Sequence, residues 1–251
     1  MQAKPLAWPA GAELPIDLEA ITEIPGQPGE FVALASEGKA FHIRVSGERV
    51  ELLGTFRLPG SKPFLGNNYE GFRLGTKIKQ VSGLRYRGKS ITKEDTAEEK
   101  RERNEIVAVW THRGGSGRDG LVFVAPFTLK GYQFGPGNVY KLRVPWPTSD
   151  RRDASDVVIW VNGEVVVSSA SDPGDDGPFS STIYSLGKLR KDASGVWELP
   201  AQSNRFLSPK ELPDYRNTRK IEALAYQYNG PCVSPWFVMG TDDENGGGWI
   251  R

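Results

Sequence analysis

Asn68-Tyr69-Glu70-Gly71-Phe72 sets a glutamate at the head of an apolar run, and this opening recurs along the chain. Asp17-Leu18-Glu19-Ala20-Ile21 precedes it and Lys220-Ile221-Glu222-Ala223-Leu224 ends the series. Ala154-Ser155-Asp156-Val157-Val158 supplies a weaker unit between them. Each opening is an acid, usually followed by a small residue, at the start of a strand-like stretch. A second strand and a polar turn follow: Ser36-Glu37-Gly38, Thr111-His112-Arg113, Ser171-Asp172 with Asp175-Asp176, and Thr241-Asp242-Asp243-Glu244. In the first, third and fourth units the opening and turn acids stand roughly 16 to 20 residues apart, the length of two strands and a turn.

Outward from these openings the chain is a series of short runs rich in valine, isoleucine and aromatics, punctuated by glycine, proline, asparagine and aspartate. Phe31-Val32-Ala33-Leu34, Ile106-Val107-Ala108-Val109-Trp110, Leu121-Val122-Phe123-Val124 and Val157-Val158-Ile159-Trp160 have strand length and strand composition. Units one and two each hold material for two more strands, Ala40 to Val45 with Val50 to Leu58, and Leu121 to Leu129 with Val139 to Val144. Four antiparallel strands per unit, repeated about an axis, make a small all-β propeller of about four blades, one domain spanning residues 1–251. A β-sandwich of similar strand count is the competing architecture. The last unit reaches only a third strand by Arg251, so Lys4 to Trp8 is expected to pair with it and cover the open edge. The charged stretch from about Lys77 to Asn104 reads as an insertion, and Thr92 to Asn104 within it as a short solvated helix or a disordered loop.

Composition narrows the function. The 251 residues carry 32 Lys and Arg against 31 Asp and Glu, a net charge of +1, so there is no single-sign field for nucleic acid or a membrane surface. No apolar run reaches the roughly 18 residues of a membrane span. Met1 to Trp8 lacks a signal-peptide core, so the chain is expected to be cytoplasmic or the mature form of an exported protein. The lone Cys232 reads as a packed thiol, and the tryptophans as core between sheets more readily than as a sugar-stacking face.

In a propeller the start of each blade's first strand and the turn after its second strand share a face. That places Glu19, Glu70, Asp156 and Glu222 in a ring at the channel mouth, surrounded by Glu37, His112, Arg113, Asp172, Asp242 and Asp243. Crowded carboxylates need compensation by a cation, by basic side chains or by protons. Oxygen donors without cysteine and with two histidines in the chain suit calcium or magnesium rather than zinc. The candidate calcium ligands are Glu19, Glu70, Asp156, Glu222, Asp242 and Asp243. The structural alternative has such acids accepting hydrogen bonds from backbone amides of the next blade. His112, Arg113, Glu37 and Asp172 are the candidate catalytic residues. His112 and Arg113 could hold phosphate or move protons, or simply form a hairpin tip. Gly114-Gly115-Ser116-Gly117 lacks the strand-to-helix setting of a phosphate loop. The expected partner is an anionic small molecule or a protein at the face bearing the acids, with no nucleic acid and no membrane.

The openings at Glu19, Glu70 and Glu222, with the strand-turn-strand segments Phe31 to Ile43 and Trp236 to Ile250, resemble the Glu-Gly-Leu blade openings of the phytase-like, or esterase-like, β-propeller proteins. The resemblance implies a propeller fold, acidic calcium sites near the channel and, in some members, phosphate-ester hydrolysis. It gives Glu19, Glu70 and Glu222 the channel-lining role. The third unit departs from the pattern, with Asp156 followed by valine. Two classes of function follow: a calcium-dependent phosphate-ester hydrolase, or a non-catalytic propeller that docks a ligand or protein over a structural acidic ring.

Overall fold

The computed structural model describes residues 6–60, 68–76, 105–115, 117–160, 163–200, 205–206, 219–227 and 236–243. These form an all-β protein. The insertion, its expected helix and Cys232 lie outside the described residues.

The apolar runs become antiparallel strands in chain order. β1 (Leu18–Glu23), β2 (Glu30–Ala35), β3 (Lys39–Ser46) and β4 (Arg49–Arg57) form a meandering first sheet. β5 (Tyr69–Thr76), β6 (Ile106–His112) and β7 (Gly120–Thr128) form the second, with β8 (Gln133–Phe134) and β9 (Asn138–Leu142) both paired to β7. β10 (Arg151–Ile159), β11 (Glu164–Ser171) and β12 (Ser180–Lys188) begin the third sheet. A small hairpin of β13 (Arg190–Lys191) and β14 (Trp197–Glu198) precedes its edge strand, β15 (Arg205–Phe206). β16 (Ile221–Gln227) and β17 (Trp236–Thr241) pair as the fourth.

The sheets stack in succession, and this explains why the strands read as continuous apolar runs instead of alternating ones. On β6, Val107 and Val109 face the third sheet while Ala108 and Trp110 face the first. On β7, Val122 and Val124 point one way, Phe123, Ala125 and Phe127 the other. On β10 and β11, Val157 and Val167 meet the second sheet, whereas Val158 and Val166 meet the fourth. A strand covered on both faces must be apolar at both parities. Four successive layers differ from the two facing sheets of a sandwich. The first strands also neighbour one another, β1 beside β5, β5 beside β10 and β10 beside β16.

The N-terminal expectation needs correction. Ala7 bridges to Arg49, not to the last unit: its N–H donates to Glu48 O at 2.8 Å and its carbonyl accepts from Val50 N at 3.0 Å. β4 is the outer edge of the first sheet, and the segment covers that open ladder in parallel. Trp8 then packs edge-on against Phe41, centroids 6.1 Å apart.

Candidate functional site

One hydrogen bond recurs in all four sheets and aligns the units residue by residue. Ser36 N–H donates to Asp17 O, Arg113 N–H to Asn68 O, Asp172 N–H to Asp150 O, and Asp242 N–H to Lys220 O, at 2.8–3.0 Å. Asp17, Asn68 and Asp150 stand there at φ of 57°, 123° and 46°, positive values that aspartate and asparagine tolerate best among side-chain-bearing residues. Two positions later comes the acid. The register slips between Leu18 and Ala20, between Tyr69 and Gly71, and between Ile221 and Ala223. Glu19, Glu70 and Glu222 are therefore the extra residues of three equivalent β-bulges. A bulge frees a residue from the ladder and re-aims its side chain.

The third unit departs from what its sequence suggested. Counted from Asp150, the equivalent of these glutamates is Arg152. Between Arg152 and Asp156 the strand advances four residues while its partner advances two, from Ala170 to Ser168. Those extra residues carry Asp156 past the bulge level and into the protein. It is 4 % exposed, and it accepts hydrogen bonds from Leu224 N and Val157 N, each at 2.7 Å. Asp156 thus takes the backbone-locking role and stands apart from the acid ring.

The bulged residues meet in a pocket of about 380 Å³ drawn from all four sheets. Asp17, Glu19, Glu70, Glu222 and Asp242 supply five carboxylates; Arg113, Arg152 and Lys220 supply three cations; Ser36 and Asn68 complete the wall. Five minus three leaves a formal charge of −2. Arg152 Nη1 lies 2.6 Å from Glu222 Oε1, and its Nη2 also holds Asp172. Lys220 Nζ is 3.5 Å from Glu222 Oε1, and Arg113 Nη1 is 3.3 Å from Glu70 Oε1.

The cations do not fully compensate the carboxylates. Burial, then the charges of Glu70, Asp17 and Glu222, push the Glu19 carboxyl up to about 8, and it shares a side-chain hydrogen bond with Glu70. Burial raises Glu222 to about 7 against the opposing pull of Arg152 and Lys220. Glu70 is raised by burial despite Arg113 and Arg152. At neutral pH this cluster therefore retains protons, as buried carboxylates do when neighbouring cations only partly offset them.

Other expected site residues lie elsewhere. Glu37 pairs with Arg57 on the surface at 3.2 Å. The His112 ring is buried against Tyr69, and its Nδ1 accepts from Gly114 N at 3.2 Å. Asp243 is buried and receives Lys220 N, Arg219 Nη1 and Thr241 Oγ1. Asp172 reaches the pocket only through Arg152. Lys220, expected with Arg73 and Arg113 to neutralise the ring if no metal did, reaches Glu222, while Arg152 was missed as a site residue. The signal for Arg152 was the αL-compatible Asp150 before Arg151-Arg152, which parallels Asp17 and Asn68.

The donor chemistry fits calcium in kind, since it is hard oxygen throughout, and a bound cation would displace the protons that the raised carboxyls hold. Among the described residues, no three His, Cys, Asp or Glu side chains form a group already closed around one point. Binding a cation therefore requires the carboxylates to draw inward. No family model matches the chain, and no curated protein does.

Proposed function

We propose that the four stacked sheets are blades of a small β-propeller and that the acidic pocket is its channel mouth, where the protein binds calcium and hydrolyses phosphate esters. The observation that carries this reading is the pocket itself: three bulged glutamates from separate sheets, in a wall with more carboxylates than cations, beside arginines able to hold a phosphoryl group. Glu19, Glu70 and Asp17 would hold the ion, with Glu222 and Asp242 at its margin. Bound calcium supplies charge neutralisation for the phosphoryl group. Arg113 and Arg152 orient its oxygens through guanidinium hydrogen bonds.

The second reading is a non-catalytic propeller that docks a ligand over a structural ring. The pairing of Arg152 and Lys220 with Glu222 favours it. Calorimetric titration of chelator-treated protein with calcium, with p-nitrophenyl phosphate turnover measured alongside, separates the two. The hydrolase reading expects saturable heat, calcium-dependent turnover, and loss of both in Glu70→Gln. Heat without turnover supports the docking reading. Neither heat nor thermal shift at millimolar calcium removes the metal from both.

A further inference from the structure

We propose that the arginine-lined cleft beside the acidic pocket is a separate oxyanion site, which takes a tetrahedral anion such as a phosphoryl or sulfuryl group without calcium. The cleft has a volume of about 550 Å³. Arg113, Arg118, Arg143, Arg151 and Arg152 line it beside Asp119, Asp150 and Asp172. Glu70, Asp153 and Glu222 hold three of these arginines from behind, so Arg118 and Arg143 are the guanidiniums it offers a ligand. It shares Arg113 and Arg152 with the acidic pocket, so an arginine-lined cavity adjoins the carboxylate-lined one.

Three of these arginines are already paired. Arg113 meets Glu70 at 3.3 Å, Arg151 meets Asp153 at 2.7 Å, and Arg152 holds Glu222 and Asp172. Arg118 and Arg143 have no carboxylate partner among the described residues. Their placement follows from the second sheet. Gly115 and Arg118 exchange two backbone hydrogen bonds of 3.0 Å in the turn between β6 and β7. Gly114, at φ 74°, lets that turn close; a Cβ there would lie 2.6 Å from Gly120 N and 2.8 Å from Arg118 O. Gly120 pairs with Leu142 of β9, so Arg143 emerges at the same end of the sheet. Cβ atoms on Gly115 and Gly117 would meet nothing within 4 Å, which leaves the cleft open on that side.

The chemistry follows from the donors. Guanidinium groups stay charged at any working pH and present several N–H groups in a fixed plane. Here they arrive from the β6–β7 turn, the end of β9 and the start of β10. Donors converging from three segments suit an anion whose acceptor oxygens point in all directions, whereas a planar carboxylate presents one edge. Without calcium the acidic pocket, with more carboxylates than cations, repels such a ligand, and the cleft is where a metal-free anion would bind.

The test is calorimetric titration with inorganic phosphate, sulfate, phenyl phosphate and acetate at low ionic strength in the presence of chelator. The wild-type protein is expected to bind saturably. The double variant Arg118→Gln/Arg143→Gln, changed only at exposed positions, is expected to bind at least about tenfold more weakly with its melting temperature kept. Arg57→Gln/Arg190→Gln, which removes two exposed arginines elsewhere, controls for overall charge. Phenyl phosphate binding at least as tightly as phosphate marks a group on a larger molecule, and weaker binding marks a free anion; either supports the site. Absence of saturable binding, binding only with calcium, an unaffected double variant, or acetate binding as tightly as phosphate overturns it. Because chelator is present throughout, failure here leaves calcium binding at the acidic pocket separately testable.

Discussion

Half-buried Arg73 and buried Asp156 form an ion pair, Nη2 to Oδ2 at 3.4 Å, at the place where the inner strands of all four sheets converge. Arg73 belongs to the second sheet. Its Nη1 donates to Ile21 O of the first at 2.7 Å, its Nε to Val157 O of the third at 2.9 Å, and its Nη2 to Leu224 O of the fourth. Asp156 returns the tie by accepting Leu224 N. One guanidinium therefore satisfies carbonyls on three neighbouring sheets, and its counter-ion sits on one of them.

Removing either member leaves the other stranded. Arg73→Met should destabilise the protein by roughly 3 kcal/mol, since it leaves the buried Asp156 carboxylate without its cation and three carbonyls without their donor. Asp156→Asn, which keeps one acceptor oxygen, should cost less. Urea unfolding monitored by tryptophan fluorescence measures both; a loss below about 1 kcal/mol for Arg73→Met would show that the four-sheet junction does not depend on it.

The raised carboxyls predict a pH dependence with a definite sign. Glu19 at about 8 and Glu222 at about 7 both titrate well above their ordinary 4.5. Between those limits the folded protein binds more protons than the unfolded chain, so stability is greatest on the acid side and falls as pH rises toward 8. In chelator, melting temperature should decline from pH 5.5 to pH 8.5, and Glu19→Gln should flatten the decline. A melting temperature that rises over this range contradicts the proton-holding cluster.

Arg152 occupies the bulge-level position that glutamate holds in the other sheets. Arg152→Glu would restore the repeat and change the pocket's formal charge from −2 to −4 while removing the partner of Glu222 and Asp172. The expected result is a lower melting temperature in chelator and a larger upward shift with calcium than in the wild type. An unchanged melting temperature would mean that Arg152 does not compensate the cluster.

Gly71 follows Glu70 because the backbone of the third sheet passes beside it. A Cβ there would lie 2.7 Å from Val157 N and 2.7 Å from Thr111 Oγ1. Gly71→Ala should therefore cost about 1–3 kcal/mol, the range of overpacking in a filled core, even though the first and fourth sheets carry alanine at this position. Equilibrium unfolding checks it, and a neutral substitution would show that the second and third sheets can separate by the missing tenths of an ångström.

Strand identity was legible in the sequence because it depends on local composition. Runs such as Ile106 to Trp110 and Leu121 to Val124 carry β-branched and aromatic residues without a break, and the turn residues between them set the ends. The positions of Glu19, Glu70 and Glu222 were legible for a related reason: each follows directly on a residue entering its first strand, so the repeat kept its spacing. Tertiary structure decided what composition could not carry. The extra residues between Arg152 and Asp156 moved an acid out of the ring and an arginine into it, since equivalence is set by backbone pairing and not by residue type. It also decided that Ala7 lies on β4, because an edge ladder accepts whichever strand reaches it. The charge of the pocket and the perturbed carboxyls exist only once four distant segments share one low-dielectric space, and proximity of that kind has no signature in any single stretch of chain.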